Sequence, residues 1–108
     1  MSDCVFCKIA AGEDSRDLVY RDELIAVFPS IDPQAPVHLL LVPRKHVENL
    51  EDLADELVVA IKNKALDIVK ERNLSPKGYR LSTNGGAAKA VSHVHFHLLG
   101  EVAVERKV

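Results

Sequence analysis

Three histidines alternate with apolar residues in His93-Val94-His95-Phe96-His97-Leu98-Leu99, and no other stretch constrains the fold of this chain as much. Val94, Phe96, Leu98 and Leu99 give it strand character. Strand side chains point to opposite faces with a period of two. The pattern therefore predicts three imidazoles on one face and Val94, Phe96 and Leu98 on the other. A single histidine in such a strand is ordinarily a core residue with a partner. Three side by side are costly to bury unless each ring is hydrogen-bonded or ligated. A row of neutral imidazoles on a rigid face can bind a metal, or supply a nucleophile and the groups that orient it. On these residues alone both remain open.

Size and composition set the frame. A chain of 108 residues supports one domain, 1-108, around a single core. Hydrophobic residues make up 47% and charged residues 28%, as in ordinary globular domains, and the net charge of −2 carries no footprint for nucleic acid. No apolar run approaches the roughly 20 residues needed to span a membrane, and Met1-Ser2-Asp3-Cys4 does not read as a signal peptide. The expectation is a cytoplasmic protein.

Along the chain, 5–11 reads as a short helical turn ended by Gly12, and 17–21 with 24–28 reads as a hairpin turned at Asp22-Glu23. A proline-rich loop over 29–36 leads to the apolar run 37–42, a central strand buried on both faces. A long helix is expected from about Asn49–Asp52 to Arg72, with Leu57, Ile61, Ala65, Ile68 and Arg72 on one face. Lys62, Lys64, Asp67, Lys70 and Glu71 cover its solvent side. After the breaker 73–78, a strand over 79–83 and a loop over 84–88 deliver the chain to the histidines. The expected class is α+β: a mostly antiparallel sheet of about five strands, one long helix and a short N-terminal helix.

Cys4-Val5-Phe6-Cys7 is a C-x-x-C pair, a spacing shared by metal sites and redox motifs. A redox pair of the thioredoxin type sits between a strand and a long helix, and no strand precedes Cys4. Without a secretory signal, metal or redox chemistry is favoured over a structural disulfide. A tetrahedral zinc site needs four ligands; His46 and one triad histidine are available to complete it. Cys4, Cys7, His46 and His93 are the expected metal set, against two ordinary reduced cysteines. His38, inside the apolar strand, reads by itself as a core residue and gains weight only if its strand lies beside the triad.

These residues resemble the histidine triad (HIT) family, its Hint-like branch most closely. His93–Leu99 resembles the signature His-φ-His-φ-His-φ-φ, where φ is apolar. Asp32-Pro33-Gln34-Ala35-Pro36-Val37-His38, Val42-Pro43-Arg44-Lys45-His46 and Cys4-Val5-Phe6-Cys7-Lys8-Ile9 are similar to three further family segments, so the likeness runs through essentially the whole chain. It implies a HIT-like fold, a homodimer, structural zinc with no organic cofactor, and nucleotidyl hydrolase or transferase chemistry on the α-phosphate of a purine nucleotide. It implies that His95 is the nucleophile, forming a nucleotidyl-histidine that water hydrolyses, with a backbone carbonyl fixing its tautomer. His97 and His38 then orient it and contact phosphate. It implies that Asn84 contacts phosphate or ribose, that the backbone N–H groups of Ala90 and Val91 face the phosphoryl oxygens, and that Phe6, Ile9, Phe28, Ile31 and Leu40 line the purine pocket.

The chain departs from the family pattern at four positions. Ser30 stands where an aspartate holds the ribose hydroxyls, Asp14 where an apolar base contact is usual, Ala90 where a serine protonates the leaving amine, and Lys89 where a glutamine is usual. Lys89 is expected to pair with phosphate, or else to be a solvated loop residue. Nucleoside affinity and turnover of basic leaving groups should fall accordingly. The rival functions are a dinucleoside polyphosphate hydrolase, a nucleotide-binding protein with little catalysis, and a triad that itself holds a catalytic metal.

Overall fold

The computed structural model describes residues 4–13 and 17–102, so Asp14 lies outside the described residues. Helix α1, Val5–Ala10, is followed by strands β1, Tyr20–Arg21; β2, Ile25–Pro29; and β3, Val37–Pro43. Helix α2, Asp55–Glu71, then leads to β4, Tyr79–Thr83, and β5, Phe96–Gly100. The five strands form one antiparallel sheet in the order β1-β2-β3-β5-β4. The class is α+β, as the sequence pattern indicates.

Alternation along the strands sorts the core into two layers. Ile25, Val27, Leu39, Leu41 and Leu98 pack against Ile61, Ala65, Ile68 and Val69 of α2. Ala26, Phe28, Leu40 and Val42, from the opposite face of β2 and β3, pack against Phe6, Ile9 and Ala10 of α1. Strand β3 is thus covered on both sides, which is why 37–42 is nearly all apolar. Each large side chain buried here contributes roughly 1.5–3 kcal/mol relative to exposure. The β1–β2 turn is held by Asp22, whose carboxylate accepts the amides of Leu24 and Ile25 at 2.8 and 2.9 Å.

Strand β1 is shorter than the expected 17–21, with only Tyr20–Arg21 in the sheet, and three further details differ for reasons of packing or hydrogen bonding. Helix α2 begins at Asp55, later than Asn49–Asp52, because Leu53 takes an extended backbone (ψ 122°). That conformation seats Leu53 in a third cluster with Val47, Leu57 and Val94. At the other end Arg72 caps the helix and is exposed, so it does not share the buried face; Val69 and Leu74 fill that space. Strand β5 begins at Phe96, later than His93. The amide of Val94 donates to Val47 O at 2.7 Å and the carbonyl of His93 accepts from a side chain, so the lead-in is withdrawn from the ladder. Gly78 closes the α2–β4 connection at φ +87°, where a Cβ would lie 2.3 Å from Val102 O.

Candidate active site and metal centre

The register of the sheet brings histidines from β3 and β5 together. Leu40 lies opposite His97 and His38 opposite Leu99, so His38 and His97 are diagonal neighbours on the α1 side of the sheet. Nε2 of His38 is 2.9 Å from Nδ1 of His97. The amide of Gln34 donates to Nδ1 of His38 at 3.0 Å. An amide N–H can only donate, so Nδ1 of His38 is unprotonated and its hydrogen sits on Nε2. That hydrogen points at Nδ1 of His97, so the neutral His97 ring carries its own hydrogen on Nε2. Burial, then the adjacent His95 and His38, pushes His97 down to about 4; burial also lowers His38, opposed by Asp32. Both rings are neutral at pH 7, and the chain of tautomers ends in an N–H donor.

His95 lies in the extended lead-in to β5 and is only 6% exposed. Its Nδ1 is 2.8 Å from the carbonyl of His93. A carbonyl can only accept, so Nδ1 carries the hydrogen and Nε2 keeps its lone pair. The hydroxyl of Thr83 on β4 donates to His95 O at 2.6 Å and fixes the backbone from the other side. The ring meets the edge of Phe6 at a 5.1 Å centroid distance and stands 5.1 Å from the His97 ring. Alternation places the three imidazoles opposite Val94, Phe96 and Leu98, which pack toward α2. They do not form one cluster, however. His97 turns to His38, and His93 turns away to the cysteines.

That second group consists of Cys4, Cys7, His46 and His93, whose ligand atoms all lie within 4.8 Å of one another. Sulfur–nitrogen separations are 3.3 Å (Cys4–His93), 3.2 Å (Cys7–His46) and 3.4 Å (Cys7–His93). Tetrahedral zinc with Zn–S of about 2.3 Å and Zn–N of about 2.0–2.1 Å needs ligand separations of roughly 3.3–3.8 Å. The donor set and its spacing therefore fit zinc. The surroundings fit as well. Nε2–H of His93 donates to Pro43 O at 2.8 Å, leaving Nδ1 unprotonated toward the sulfurs. Glu48 lies 3.4 Å from Nε2 of His46, the usual carboxylate behind a ligating histidine. Without a cation, burial and the neighbouring Cys4 push the Cys7 thiol up to about 11. A divalent cation reverses that balance. The C-x-x-C spacing puts both sulfurs at one end of α1, where Sγ of Cys4 also caps the amide of Cys7.

The other predicted residues divide. Phe6 and Leu40 retain 6% and 7% exposure beside the histidines, whereas Ile9 and Phe28 are sealed in the α1 core at 1% and 0% and present almost no surface to a base. Ile31 is 77% exposed on the 30–36 loop. Asn84 and Ala90 are exposed, and Val91 is half-buried against the Phe6 cluster. Ser30 Oγ accepts from the amide of Asp32 at 3.1 Å, a local turn. The Lys89 ammonium is held at the surface, donating to Glu48 O at 2.9 Å and Asn49 Oδ1 at 3.0 Å. The amide of Gln34, the carbonyl of Pro43, Thr83 and Glu48 escaped sequence reasoning. Two of them act through backbone atoms, which carry no side-chain signal.

Comparison with known proteins agrees with this geometry. A family model described as scavenger mRNA decapping enzyme C-term binding matches residues 3–107. The purine nucleoside phosphoramidase of Escherichia coli is 36% identical over 101 residues, covering 89% of this chain and 85% of that protein. A HIT family hydrolase from Legionella pneumophila superposes with a TM-score of 0.87 at 40% identity, covering 94% of this chain and 95% of its own. A zinc-bound histidine triad family protein from Mycobacterium smegmatis superposes at 0.83 and 27% identity, covering 96% and 78%. Fold, site and relatives together define a histidine-rich sheet protein with hydrolase neighbours. The chain belongs to the histidine triad family.

Proposed function

We propose that this protein is a nucleotidyl hydrolase of the phosphoramidase type, acting on the α-phosphate of purine nucleotide derivatives with His95 as nucleophile. The observation that carries this reading is the 2.8 Å bond from Nδ1 of His95 to the carbonyl of His93, which leaves the Nε2 lone pair for attack. The lone pair forms a bond to the α-phosphorus as the bond to the leaving amine breaks. The amine departs with that electron pair and takes a proton. The oxygen of water then attacks the phosphorus, the P–Nε2 bond breaks and its electrons return to His95. A proton passes to solvent, and the products are the nucleoside monophosphate and the free amine. Nε2–H of His97 is a donor prepared for the phosphoryl oxygens by the Gln34–His38–His97 chain. Ala90 has no hydroxyl, so the leaving amine draws its proton from water, which favours less basic leaving groups.

Cys4, Cys7, His46 and His93 are read as a structural zinc site, supported by their spacing and by the zinc-bound relative. When bound, zinc would supply a structural cross-link, held by Cys4 and Cys7 of the α1 end, His46, and His93 of the lead-in to β5.

Hydrolysis of adenosine 5′-monophosphoramidate by the wild type and by His95→Ala tests the reading. Turnover in the wild type that falls by about 10³-fold or more in the variant, with similar melting curves, is the expected result. Activity retained in His95→Ala sinks the mechanism. No turnover in either, with adenosine monophosphate still bound, makes the protein a nucleotide binder.

A further inference from the structure

The geometry points to Lys89 as a positioning residue whose ammonium pins the 84–92 loop to the segment beside the metal ligand His46. Its consequence for turnover presupposes nucleotidyl transfer at His95; its consequence for loop order does not.

The loop has little else to hold it. Residues 84–88 are exposed, and no Cβ placed on Gly85 or Gly86 would meet anything within 4 Å. A single 3₁₀ turn, Gly86–Ala88, is closed by local backbone bonds of 3.1 and 3.3 Å. Val91 gives one apolar anchor against the Phe6 cluster. Among the described residues, the two bonds of the Lys89 ammonium are the hydrogen bonds that join 84–92 to another part of the fold. Two glycines with so few contacts leave many backbone states open unless something selects one.

The far end of this clamp is well fixed. Glu48 gives its carbonyl to Lys89, while its carboxylate lies 3.4 Å from Nε2 of His46. Val47 O accepts the amide of Val94 at 2.7 Å, one residue from the nucleophile. One short segment, 46–49, therefore touches the metal ligands, the lead-in to His95 and the loop whose amides would meet the phosphate. An ammonium already held by a carbonyl and an amide oxygen is spent on that connection. It would have to leave both to reach a phosphate. Amide donors for a developing oxyanion act only when held in place before the reaction. Ordering the loop therefore contributes to kcat more than to KM.

Amide hydrogen exchange and steady-state kinetics on the zinc-loaded protein test this. In Lys89→Met, which keeps the apolar stem and loses the donors, amides of 85–91 should exchange about tenfold faster. The kcat should drop about five- to tenfold while KM stays within about twofold. Asn49→Ala, which removes one acceptor, should show about a third of that increase in exchange, and adding it to Lys89→Met should add little. Lys89→Arg should restore most of the protection. Unchanged exchange in Lys89→Met overturns the clamp, most plainly if KM instead rises steeply with salt, as for a direct phosphate contact. Faster exchange with unaltered kcat overturns the positioning role. If the wild type turns over no nucleotide, the exchange data still decide the clamp, and only the catalytic reading fails.

Discussion

His93 and His97 lie four positions apart on the same side of the sheet, yet they are set up as chemical opposites. Nε2 of His93 gives its hydrogen to Pro43 O, so Nδ1 faces Cys4 and Cys7 with a lone pair. Nδ1 of His97 accepts from His38, so Nε2 presents a hydrogen. His95, between them, donates from Nδ1 to a carbonyl and keeps its lone pair at Nε2. The partner of the second nitrogen decides whether an imidazole becomes ligand, donor or nucleophile. Three identical side chains present different ring atoms because different acceptors or donors meet them from behind.

Breaking the metal end should have the largest effect. Cys7→Ala removes one of four ligands and should lower zinc affinity by at least about 100-fold. The wild type should carry one zinc per chain by elemental analysis, and the variant should melt about 10 °C lower or more. A variant that still holds stoichiometric zinc would remove the cluster from the comparison. Next, His38→Phe frees Nδ1 of His97 from its donor, so the ring no longer holds its hydrogen at Nε2. The kcat on adenosine 5′-monophosphoramidate should fall about tenfold to a hundredfold, with zinc content unchanged. Equal damage to zinc content would mean that the two ends are not separable.

Acid gives the smallest effect. A histidine held near 4 in the fold and at 6.5 when unfolded binds more protons in the unfolded chain between those values. Stability therefore falls as the pH is lowered from 6.5 toward 4, losing about 1 kcal/mol between pH 6.5 and 5.5 from His97 alone. Urea midpoints on chelator-treated protein should show this slope in the wild type and a shallower one in His97→Phe. Identical slopes would mean that His97 is not held neutral by its surroundings.

Much of the fold was legible because period and punctuation were strong. The apolar run 37–42 and the strand 79–83 fall where the residues place them, and the pair of strands around Asp22-Glu23 is present, though its first member is only Tyr20–Arg21. The boundaries at Leu53 and His93 were not legible. Each depends on a partner distant in sequence: Val94 for Leu53, and Val47 O for the lead-in of β5. The metal set was legible because cysteine and histidine are rare and chemically specific. The exposure of the apolar residues expected around a base was less so. Apolar letters do not distinguish Phe28, with no exposure, from Ile31, at 77%. Lys89 shows the same limit for charge, since sequence gives an ammonium and only the fold supplies Glu48 O and Asn49 Oδ1 as its acceptors.

The strand order β3-β5-β4 has a consequence for how the chain is made. Strand β5 is synthesised after both of its neighbours, so β4 has nothing to pair with while the ribosome is still adding the residues between them. Until β5 arrives, the nascent chain holds a three-stranded piece and a separate strand, with Leu39 and Leu41 beside an open seam. Insertion of one strand then closes the sheet and brings His97 beside His38, with His95 against His97, in the same event. A nascent chain stalled before Phe96 would already carry Cys4, Cys7, His46 and His93, but it would expose an unpaired strand edge and lack His97 as the partner of His38.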